Sequence, residues 1–531
     1  GGGPTLFFEP TPYGCRGILE RLTKSQLALC SRFEVQGSRH DAPLNLQPRT
    51  SVILIEALRL VMTTWTIGQL LEAAGGELIS RPHADPQAER AIPVEGVSLD
   101  SRRVKPGEAF LAIRGPRFDA HQFIPDVIER QVACLIVSDA PVPLPSVPTI
   151  VVADTVRALG AIAAAYRRRF QIPVIAVTGS CGKTTTKELI AHLLSQDHRV
   201  LKTNGTENNQ IGLPLTLLRM NASHDMAVVE LGSNHPGEIA YLARIARPTV
   251  AVITNVGPAH LEFFGSLEAV RQEKLSLLEA LEPAGSAVLP GDQLEVLLGA
   301  KPRLHPGITL LTFGTSPQCG VQVCELTRQD GVLSMRLRGA PGTFCVPLPG
   351  SHNVENTLAA LACLRTLGVP LDAVRERLAR FSPLPLRSQL LRVNGLTILN
   401  DCYNANPLSF ARALEVLRDL EVKRRVVIAG DMLELGAVSP AAHEAIGRLC
   451  AQLGMDVVVA VGAFAEAVAR GASETTHTRT VICRTVEELQ ALAPSLVQNG
   501  DGWLIKGSRK LQLERVTEQL VHGASAHAHV A

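Results

Sequence analysis

The sequence predicts an α/β protein whose larger domains are built on parallel sheets. Runs of four to six mostly apolar residues, among them 226–231, 250–254 and 457–461, alternate with longer stretches of helical periodicity. This alternation is typical of parallel strands joined by crossover helices. A chain of 531 residues has room for about three domains of the usual ~100 to 200 residues each. Its 46% hydrophobic and 19% charged residues exclude a wholly disordered chain, so we expect a large buried core.

Changes in this pattern divide the chain into five parts. Residues 1–61 lack periodicity and precede Met62, where ordered patterning starts, so we expect a disordered or non-native extension whose deletion leaves activity intact. We predict an N-terminal domain at 62–170, a central domain at 171–383 and a C-terminal domain at 384–522. Pro173 and the prolines between 381 and 386 mark the two internal boundaries, since proline ends helices. Residues 523–531 form a short tail with two histidines.

Each predicted domain has its own series of elements. In the N-terminal domain we expect a helix at 67–74, strand-like runs, and a helix at 155–170 that closes the domain. In the central domain, strands are expected at 174–178, 227–231, 250–254 and 286–289, with a helix at 266–281. A β-rich passage at 308–349 and a helix at 353–367 follow. The C-terminal domain repeats strand and helix units in the manner of a doubly wound, Rossmann-like fold. Its strands are expected at 397–399, 425–429, 457–461, 480–482 and 502–505.

The most informative motif joins the first central strand to a helix. Val174-Ile-Ala-Val-Thr-Gly-Ser-Cys-Gly-Lys-Thr184 is an apolar strand, a turn with glycines at 179 and 182, and a helix start. Glycines let the backbone approach phosphate, and a helix N-terminus attracts anions. Lys183 can reach the β- and γ-phosphates, and the Thr184 hydroxyl can hold Mg²⁺. Val177 stands where the full pattern has its first glycine, so this is a shortened P-loop. The predicted ATP-binding residues here are Thr178, Gly179, Ser180, Cys181, Gly182, Lys183, Thr184 and Thr185.

Two further polar residues follow buried strands of the same predicted sheet. Glu230 lies at the carboxyl end of one strand, where ligands gather in open parallel sheets, and its carboxylate can bind Mg²⁺. Thr254-Asn-Val-Gly-Pro-Ala-His260 follows another strand and brings His260 to the same edge. Taken alone, each residue also has an ordinary interpretation. Glu230 fits a solvent-exposed residue at the end of a strand, and His260 fits a histidine whose hydrogen bonds are satisfied within the protein.

Net charge, cysteine spacing and hydropathy indicate which binding partners and which cellular environment to expect. A net charge of +2 without basic patches argues against nucleic acid, so small anions are the expected partners. The eleven cysteines are scattered without metal-binding spacing, which predicts reduced residues in a cytoplasmic protein. Cys181 in the phosphate turn has two interpretations, a reactive thiol activated by the helix N-terminus or a tolerated small residue, and we favour the second. The sequence has no run of eighteen apolar residues, so no membrane span is expected, and a monomer is assumed.

Several motifs together resemble the Mur ligases of peptidoglycan precursor synthesis. They are Thr178-Gly-Ser-Cys-Gly-Lys-Thr184, Glu230-Leu-Gly232, Thr254-Asn-Val-Gly-Pro-Ala-His260 and Gly350-Ser-His-Asn353. The resemblance runs from about residue 65 to about 520 and implies the three-domain Mur ligase architecture. Three more motifs are similar to the branch that adds D-alanyl-D-alanine to UDP-N-acetylmuramoyl-tripeptide, while the Asp-Asn-Pro-Arg motif of a sibling branch is absent. They are Asp401-Cys-Tyr-Asn-Ala-Asn-Pro407, Gly430-Asp-Met-Leu-Glu-Leu-Gly436 and Lys506-Gly-Ser-Arg509.

The resemblance assigns roles in the ATP site. It implies two Mg²⁺ ions with Thr184, Glu230, His260 and Lys274 as ligands, Lys274 acting as a carbamate if it is not an ordinary helix lysine. Lys183, Lys274, His260 and Arg387 are the implied catalytic residues. His352, Asn353 and Asn356 match the segment that contacts the nucleotide base. Arg387 and Asp401 match residues that close over the γ-phosphate and the ribose.

The resemblance also assigns the substrate contacts. Tyr403, Asn404 and Asn406 match the segment that faces the incoming dipeptide. Asp100-Ser101-Arg102 and the later Gly115-Pro-Arg-Phe-Asp-Ala-His121 are similar to the UDP-sugar segment, and Thr203, Asn208 and Asn209 to the sugar-peptide region. Ala120 and Glu207 replace a commoner glycine and aromatic residue, which affects details of sugar contact.

The implied activity is ATP-dependent amide-bond formation through an acyl phosphate. One alternative is another amide ligase of this superfamily, such as a folylpolyglutamate synthetase, against which Tyr403-Asn-Ala-Asn-Pro407 argues. A second is a P-loop binding module without catalysis, against which the presence of both 350–356 and Arg387 argues. Whether the third residue of the peptide is diaminopimelate or lysine stays open at this point.

Overall fold

The computed structural model describes residues 64–527, except for residues 116–117, 144, 330, 394 and 475–476. The predicted extension at 1–61 lies outside the described residues, as does the end of the predicted tail. By their contacts the residues divide into two compact units, with the division between Ala153 and Asp154.

The first unit is a small α/β domain. Its strands are β1 (Trp65–Thr66), β2 (Glu77–Ile79), β3 (Pro93–Val94), β4 (Val97–Ser98), β5 (Ala109–Leu111), β6 (Arg114–Gly115), β7 (Phe118–Asp119), β8 (Cys134–Val137) and β9 (Thr149–Val151). Its helices are α1 (Ile67–Ala74), α2 (Pro86–Arg90) and α3 (Ile124–Glu129). A five-stranded sheet has the order β2-β9-β8-β5-β4, and β2 pairs antiparallel with β9. Helix α1 has the predicted bounds because Thr66 and Gln69 form a capping box at its start and Gly75 ends it with a φ of 70°.

The central part of the second unit contains the predicted parallel sheet. Its strands are β10 (Val174–Thr178), β11 (Val200–Lys202), β12 (Met226–Glu230), β13 (Val250–Ile253), β14 (Ser286–Pro290), β15 (Thr309–Gly314), β16 (Val321–Gln329), β17 (Val332–Leu337) and β18 (Phe344–Val346). The sheet has nine strands in the order β11-β12-β10-β13-β14-β15-β16-β17-β18. The strands from β11 to β16 are parallel, and β17 and β18 continue as an antiparallel meander.

Helices cover this sheet on both faces. They are α4 (Thr155–Arg167), α5 (Lys183–Leu194), α6 (Gly212–Leu218), α7 (Glu238–Ala246), α8 (Leu261–Phe264), α9 (Leu267–Leu275), α10 (Leu294–Ala300), α11 (Ser351–Thr366) and α12 (Leu371–Ala379). All residues of β10 and β13 are buried, which is why these strands are continuous apolar runs in the sequence.

The last part of the second unit is the predicted Rossmann-like domain. Its strands are β19 (Gln389–Val393), β20 (Leu396–Asn400), β21 (Arg424–Gly430), β22 (Val457–Val461), β23 (Arg479–Cys483) and β24 (Asp501–Lys506). Its helices are α13 (Pro407–Asp419), α14 (Ser439–Gln452), α15 (Ala465–Ala472), α16 (Val486–Leu496) and α17 (Glu514–His527). The order is β19-β20-β24-β21-β22-β23, with β19 antiparallel to β20 at the edge. Neighbouring residues Val426 and Val427 belong to different apolar clusters because successive side chains of a strand point to opposite faces.

Helix α4 belongs to the second unit, whereas the sequence suggested that it closes the first domain. The Tyr166 hydroxyl donates to the Met220 carbonyl oxygen at 2.7 Å, and Arg167 Nε donates to the Ala246 carbonyl oxygen at 3.1 Å. The helix therefore packs beside α6 and α7, which its local sequence does not reveal. The predicted domain limits themselves stay predictions.

Two differences at the ends of elements are small. Helix α17 runs to His527, so the first residues of the predicted tail continue a helix. The predicted helix at 266–281 is divided into α9 and a 3₁₀ turn at Ser276–Ala280. Among the residues described, none of the helices combines the length and apolar composition needed to cross a lipid bilayer.

Candidate active site

The phosphate turn lies between β10 and α5, as the sequence predicts. Gly179 has a φ of 146° and Gly182 a φ of 80°, in a region that side chains other than glycine rarely adopt. A Cβ at Gly179 would lie 2.0 Å from Thr254 Oγ1, and one at Gly182 would lie 2.0 Å from Asn356 Oδ1. Both glycines are therefore required by backbone conformation and by close neighbours.

Asn255, in the loop that follows the neighbouring strand β13, holds the turn. Its backbone carbonyl accepts from Ser180 N at 3.0 Å, and its Oδ1 accepts from Cys181 N at 3.0 Å. Its Nδ2 also donates to the Cys181 carbonyl oxygen at 3.1 Å. Because these two N–H groups donate to Asn255, neither is free to bind phosphate in this conformation. Asn255 lies within the motif 254–260, but the motif by itself does not indicate this role.

Lys183 and Thr184 begin helix α5. Lys183 Nζ donates to the Gly179 carbonyl oxygen at 2.9 Å, so the side chain folds back over the turn. Burial lowers the pKa of Lys183. Thr184 is buried, and Thr185 lines a small cavity with Glu188, Asn353 and Arg387. The P-loop residues thus lie beside two residues expected to contact the nucleotide.

Glu230 ends strand β12 and is 1% exposed. Its Oε1 accepts from Asn208 Nδ2 at 2.7 Å, and its backbone N–H donates to Thr203 Oγ1 at 3.0 Å. Its Oε2 is buried and has no hydrogen-bond partner within the described part of the chain. A buried carboxylate oxygen without a partner is costly, so this atom fits the position of a cation ligand.

Lys274 lies on α9 and is also 1% exposed. Its Nζ donates to Ser233 Oγ at 2.7 Å. Burial, together with the charge of Lys183, lowers its pKa to about 7. The preceding residue Glu273 accepts from the N–H groups of Gly237 and Ile239, both at 2.7 Å, which fixes α9 against the start of α7. Lys274 is therefore no ordinary solvated lysine.

His260 precedes α8 and contacts the C-terminal part of the unit. Its Nδ1 lies 2.5 Å from Glu434 Oε2, in the loop after β21. This hydrogen bond lowers the pKa of Glu434. Glu434 lies in the motif 430–436, whose sequence alone does not indicate this contact. Among the described residues, no group of three or more His, Cys, Asp or Glu side chains is arranged to hold a metal ion.

The three residues expected near the nucleotide base lie at the start of α11. Asn353 Oδ1 accepts from Asn356 Nδ2 at 2.9 Å, and both side chains are buried. Thr186 donates to Asn356 Oδ1 at 3.4 Å, which links α11 to the P-loop helix. His352 Nε2 lies 3.4 Å from Ser388 Oγ, and burial lowers its pKa to about 4. The structure therefore brings this segment next to the P-loop.

Arg387 and Asp401 are brought together by the C-terminal sheet. The Arg387 guanidinium lies 4.1 Å above the centre of the Tyr403 ring. Asp401 Oδ1 accepts from Ser388 N at 2.8 Å, and its Oδ2 lies 2.5 Å from Nζ of Lys506, which is 1% exposed. Lys506 is a further residue that sequence reasoning did not select, although it begins a quoted motif.

The loop after Asp401 lies against the central part of the unit. The Tyr403 hydroxyl hydrogen-bonds to Thr206 Oγ1. Asn406 Nδ2 lies 3.6 Å from the Cys181 sulfur. Asn406 also caps α13, since its Oδ1 accepts from Ser409 N at 2.8 Å. Asn404 is exposed. Asn406 thus has a structural role in addition to the predicted dipeptide contact.

The residues expected to contact the sugar-peptide and the UDP-sugar lie in different units. In the second unit, Thr203 is fully buried and supports Glu230, whereas Asn209 is exposed and its Oδ1 accepts from Gly212 N at 2.9 Å. In the first unit, Asp100 pairs with Arg102 through two hydrogen bonds of 2.9 Å, and this lowers the pKa of Asp100 to about 2. Ser101 lies in the same turn.

Three family models match successive parts of the chain. The model of the Mur ligase family catalytic domain matches residues 93–174, the middle domain residues 177–364, and the glutamate ligase domain residues 386–509.

Curated and solved relatives agree with these matches. The UDP-N-acetylmuramoyl-tripeptide–D-alanyl-D-alanine ligase of Bacillus subtilis is 34% identical over 453 residues, which is 84% of this chain and 97% of that protein. The crystal structure of MurF from Acinetobacter baumannii is 33% identical with a TM-score of 0.78, covering 86% of this chain and 99% of that one. MurF from Thermotoga maritima in complex with ADP is 29% identical with a TM-score of 0.73, covering 81% and 98%.

Proposed function

Because the chain belongs to the Mur ligase family, we propose that it uses ATP to join D-alanyl-D-alanine to the terminal carboxylate of UDP-N-acetylmuramoyl-tripeptide. The enzyme is a peptide-bond-forming ligase that releases ADP and phosphate, and its product is the pentapeptide precursor of peptidoglycan. The observation that carries this proposal is the meeting of three loops. Tyr403 and Asn406, from the segment expected to bind the dipeptide, contact Thr206 and the P-loop residue Cys181.

A carboxylate does not condense with an amine in water, so its carbon must first be made electrophilic. The tripeptide carboxylate oxygen attacks the γ-phosphorus of ATP, which breaks the bond to ADP and forms an acyl phosphate. The amine of D-alanyl-D-alanine then attacks the acyl carbon, loses a proton, and inorganic phosphate leaves. A loop that binds the amine beside the P-loop brings the two reactants together.

The first step brings negative groups together. Two unit charges about 4 Å apart repel by roughly 4 kcal/mol at an effective dielectric constant near 20. Lys183 at the P-loop and Arg387, which lines a small cavity together with Thr185, are protein cations that can reduce this repulsion. A cation–π contact with the Tyr403 ring, 4.1 Å from the guanidinium carbon to the ring centre, helps to hold Arg387 in place.

Mg²⁺ fits the donors of this site. Thr184, Glu230, His260 and a carbamate on Lys274 would hold two ions, and Glu230 offers a buried carboxylate oxygen that lacks a protein partner in the described part of the chain. When bound, Mg²⁺ neutralises charge on the phosphate oxygens. The carbamate requires an uncharged amine. Burial favours that form by lowering the Lys274 pKa to about 7.

One assay tests this function against the alternatives. Purified protein receives ATP, Mg²⁺, UDP-N-acetylmuramoyl-tripeptide containing either diaminopimelate or lysine, and D-alanyl-D-alanine; ADP and the pentapeptide mass are measured. We expect sustained ADP release only when all reactants are present, because without the dipeptide the acyl phosphate is not consumed. The tripeptide that is used faster identifies the third residue of the natural peptide. L-alanyl-L-alanine is the matched control, and a folate with glutamate tests the synthetase alternative. Failure to form ADP with either tripeptide would refute the proposal.

Location and assembly stay predictions from the sequence. We expect the enzyme to act as a monomer in the cytoplasm, with reduced cysteines. Six of the nine described cysteines are buried, and all nine are free thiols.

A further inference from the structure

His260 and Glu434 join the central and C-terminal parts of the second unit. The distance from His260 Nδ1 to Glu434 Oε2 is 2.5 Å. An ionised carboxylate only accepts hydrogen bonds, so Nδ1 carries the proton and donates. In a neutral imidazole, Nε2 then keeps its lone pair. The contact therefore selects the tautomer in which Nε2 can bind a metal ion.

The loop that carries Glu434 is held by its own domain. Each of the three residues before Glu434 is fixed by hydrogen bonds to other segments. These bonds run from Ala463 N and Phe464 N to the Asp431 carboxylate at 2.9 and 3.0 Å, from Met432 N to His443 Nε2 at 2.8 Å, and from Leu433 N to Ser508 Oγ at 3.0 Å. The carboxylate is thus presented from a fixed position.

Both partners of the contact have unusual backbone conformations. The φ angle is 51° at His260 and 62° at Glu434, in the left-handed region that residues other than glycine rarely adopt. On the His260 side, the N–H of Phe263 donates to the His260 carbonyl oxygen at 3.0 Å and fixes the turn into α8. Strained residues persist where the surrounding structure holds them, and they concentrate at functional sites.

We propose that Glu434 is a positioning residue: from the C-terminal domain it orients His260 so that Nε2 serves as a metal ligand. Metal binding is then coupled to docking of the C-terminal domain on the central domain. This inference rests on the proposed function, because it assigns His260 to the Mg²⁺ of the ATP site. Carboxylates that orient metal-binding histidines in this way are common, and their loss weakens metal binding or activity about 10- to 100-fold.

A surface ion pair without function is the competing explanation. The His260 side chain is 22% exposed and that of Glu434 is 42% exposed, and pairs of this kind often contribute little to stability. That explanation predicts no change in metal dependence when Glu434 is replaced. The two explanations therefore differ in a measurable quantity.

The test compares Glu434→Ala and Glu434→Gln with the control Glu355→Ala. Glu355 on α11 pairs with Arg412 on α13 at 2.9 Å, so the control removes another ion pair between the same two domains without contacting His260. ADP formation is measured against Mg²⁺ concentration. We expect the half-saturating Mg²⁺ concentration to rise about tenfold or more in Glu434→Ala. We expect a smaller rise in Glu434→Gln, whose amide oxygen still accepts from Nδ1, and no rise in Glu355→Ala.

Hydrogen–deuterium exchange of residues 256–265 provides a readout independent of turnover. It is followed with and without Mg²⁺ and a non-hydrolysable ATP analogue. We expect faster exchange in Glu434→Ala than in wild type and Glu355→Ala, with a larger difference when Mg²⁺ is present. Unchanged Mg²⁺ dependence and unchanged exchange in both Glu434 variants would overturn the proposal. A wild-type protein that forms no ADP would instead refute the proposed function, while the exchange comparison would still decide the role of Glu434.

Discussion

Asn208 and Glu230 are joined by a hydrogen bond of 2.7 Å from Asn208 Nδ2 to Glu230 Oε1. The contact fixes the carboxylate from one side and leaves Oε2 buried without a hydrogen-bond partner in the described residues. Asn208 was expected near the sugar-peptide, so one residue connects the substrate loop with the predicted metal site. Because of this geometry, a substitution at Glu230 is the most direct test of the predicted metal site.

Replacing Glu230 with Gln should weaken Mg²⁺ binding by about tenfold or more, because the charged ligand is lost while the size of the side chain is kept. The half-saturating Mg²⁺ concentration for ADP formation measures this effect. Without Mg²⁺, the variant should unfold at the same temperature as wild type or a higher one, since a buried charge has been removed. An unchanged Mg²⁺ requirement would exclude Glu230 as a ligand.

Replacing Lys183 with Ala should lower ADP formation about a hundredfold or more, because the loss removes a cation from the phosphate site. The fold should persist, since the described bond of Lys183 Nζ is to the Gly179 carbonyl within the same turn. Circular dichroism and a coupled ADP assay check both points. Lys301→Ala, at an exposed surface lysine, is the control and should retain full activity. Near-normal turnover of the Lys183 variant would reject the P-loop assignment.

Replacing Lys274 with Ala should abolish most activity, and short carboxylic acids such as acetate or propionate should restore part of it if the lysine acts as a carbamate. The acid would occupy the space of the missing side chain and return a carboxylate to the site. The assay is ADP formation as a function of added acid, with a primary amine as the matched control. Rescue by the amine and not by the acid would show that the plain lysine is the active form.

Lys274 also predicts a dependence of stability on pH. Its folded-state pKa of about 7 lies below the ordinary value of 10.5, so the unfolded chain binds more protons between these values. The contribution of this group to the free energy of unfolding therefore rises with pH across that window, by at most about 1.4 kcal/mol for each pH unit. Lys274→Met lacks the charge, so in CO₂-free buffer it should be more stable than wild type at pH 6.5. The difference should shrink by pH 9.5, as measured by thermal unfolding at both values; a constant difference would contradict this prediction.

The two asparagines of the dipeptide loop should behave differently. Asn404→Ala should raise the KM for D-alanyl-D-alanine more than the KM for ATP, because Asn404 is exposed in the loop expected to bind the dipeptide. Asn406→Ala should in addition lower stability by about 1 kcal/mol, because it removes the cap of α13. Steady-state kinetics with each substrate varied, together with thermal unfolding, separates the two effects. Equal changes in both KM values for Asn404→Ala would argue against a role in dipeptide binding.

Most strands in the middle of the two large sheets were predictable, because a fully buried strand is recognisable from its own residues. Strands β10, β13 and β22 are buried along their whole length and therefore appear as unbroken apolar runs. The short strand β11 and the edge strand β19 were not predicted, since both are only partly buried and have weaker patterns. The Asn406 cap was detectable, because Asn followed by Pro407 is a usual helix start.

The sequence by itself determined the phosphate turn, the alternation of strands and helices, and the family to which the chain belongs, because each is recorded in neighbouring residues or in their spacing. Only the tertiary structure decided that Asn255 holds the turn, that Asn208 supports Glu230 and that Glu434 contacts His260. These pairs are separated by 74, 22 and 174 positions along the chain. Contacts at such separations depend on the order of strands in the sheet and on the docking of domains, which local patterns do not encode.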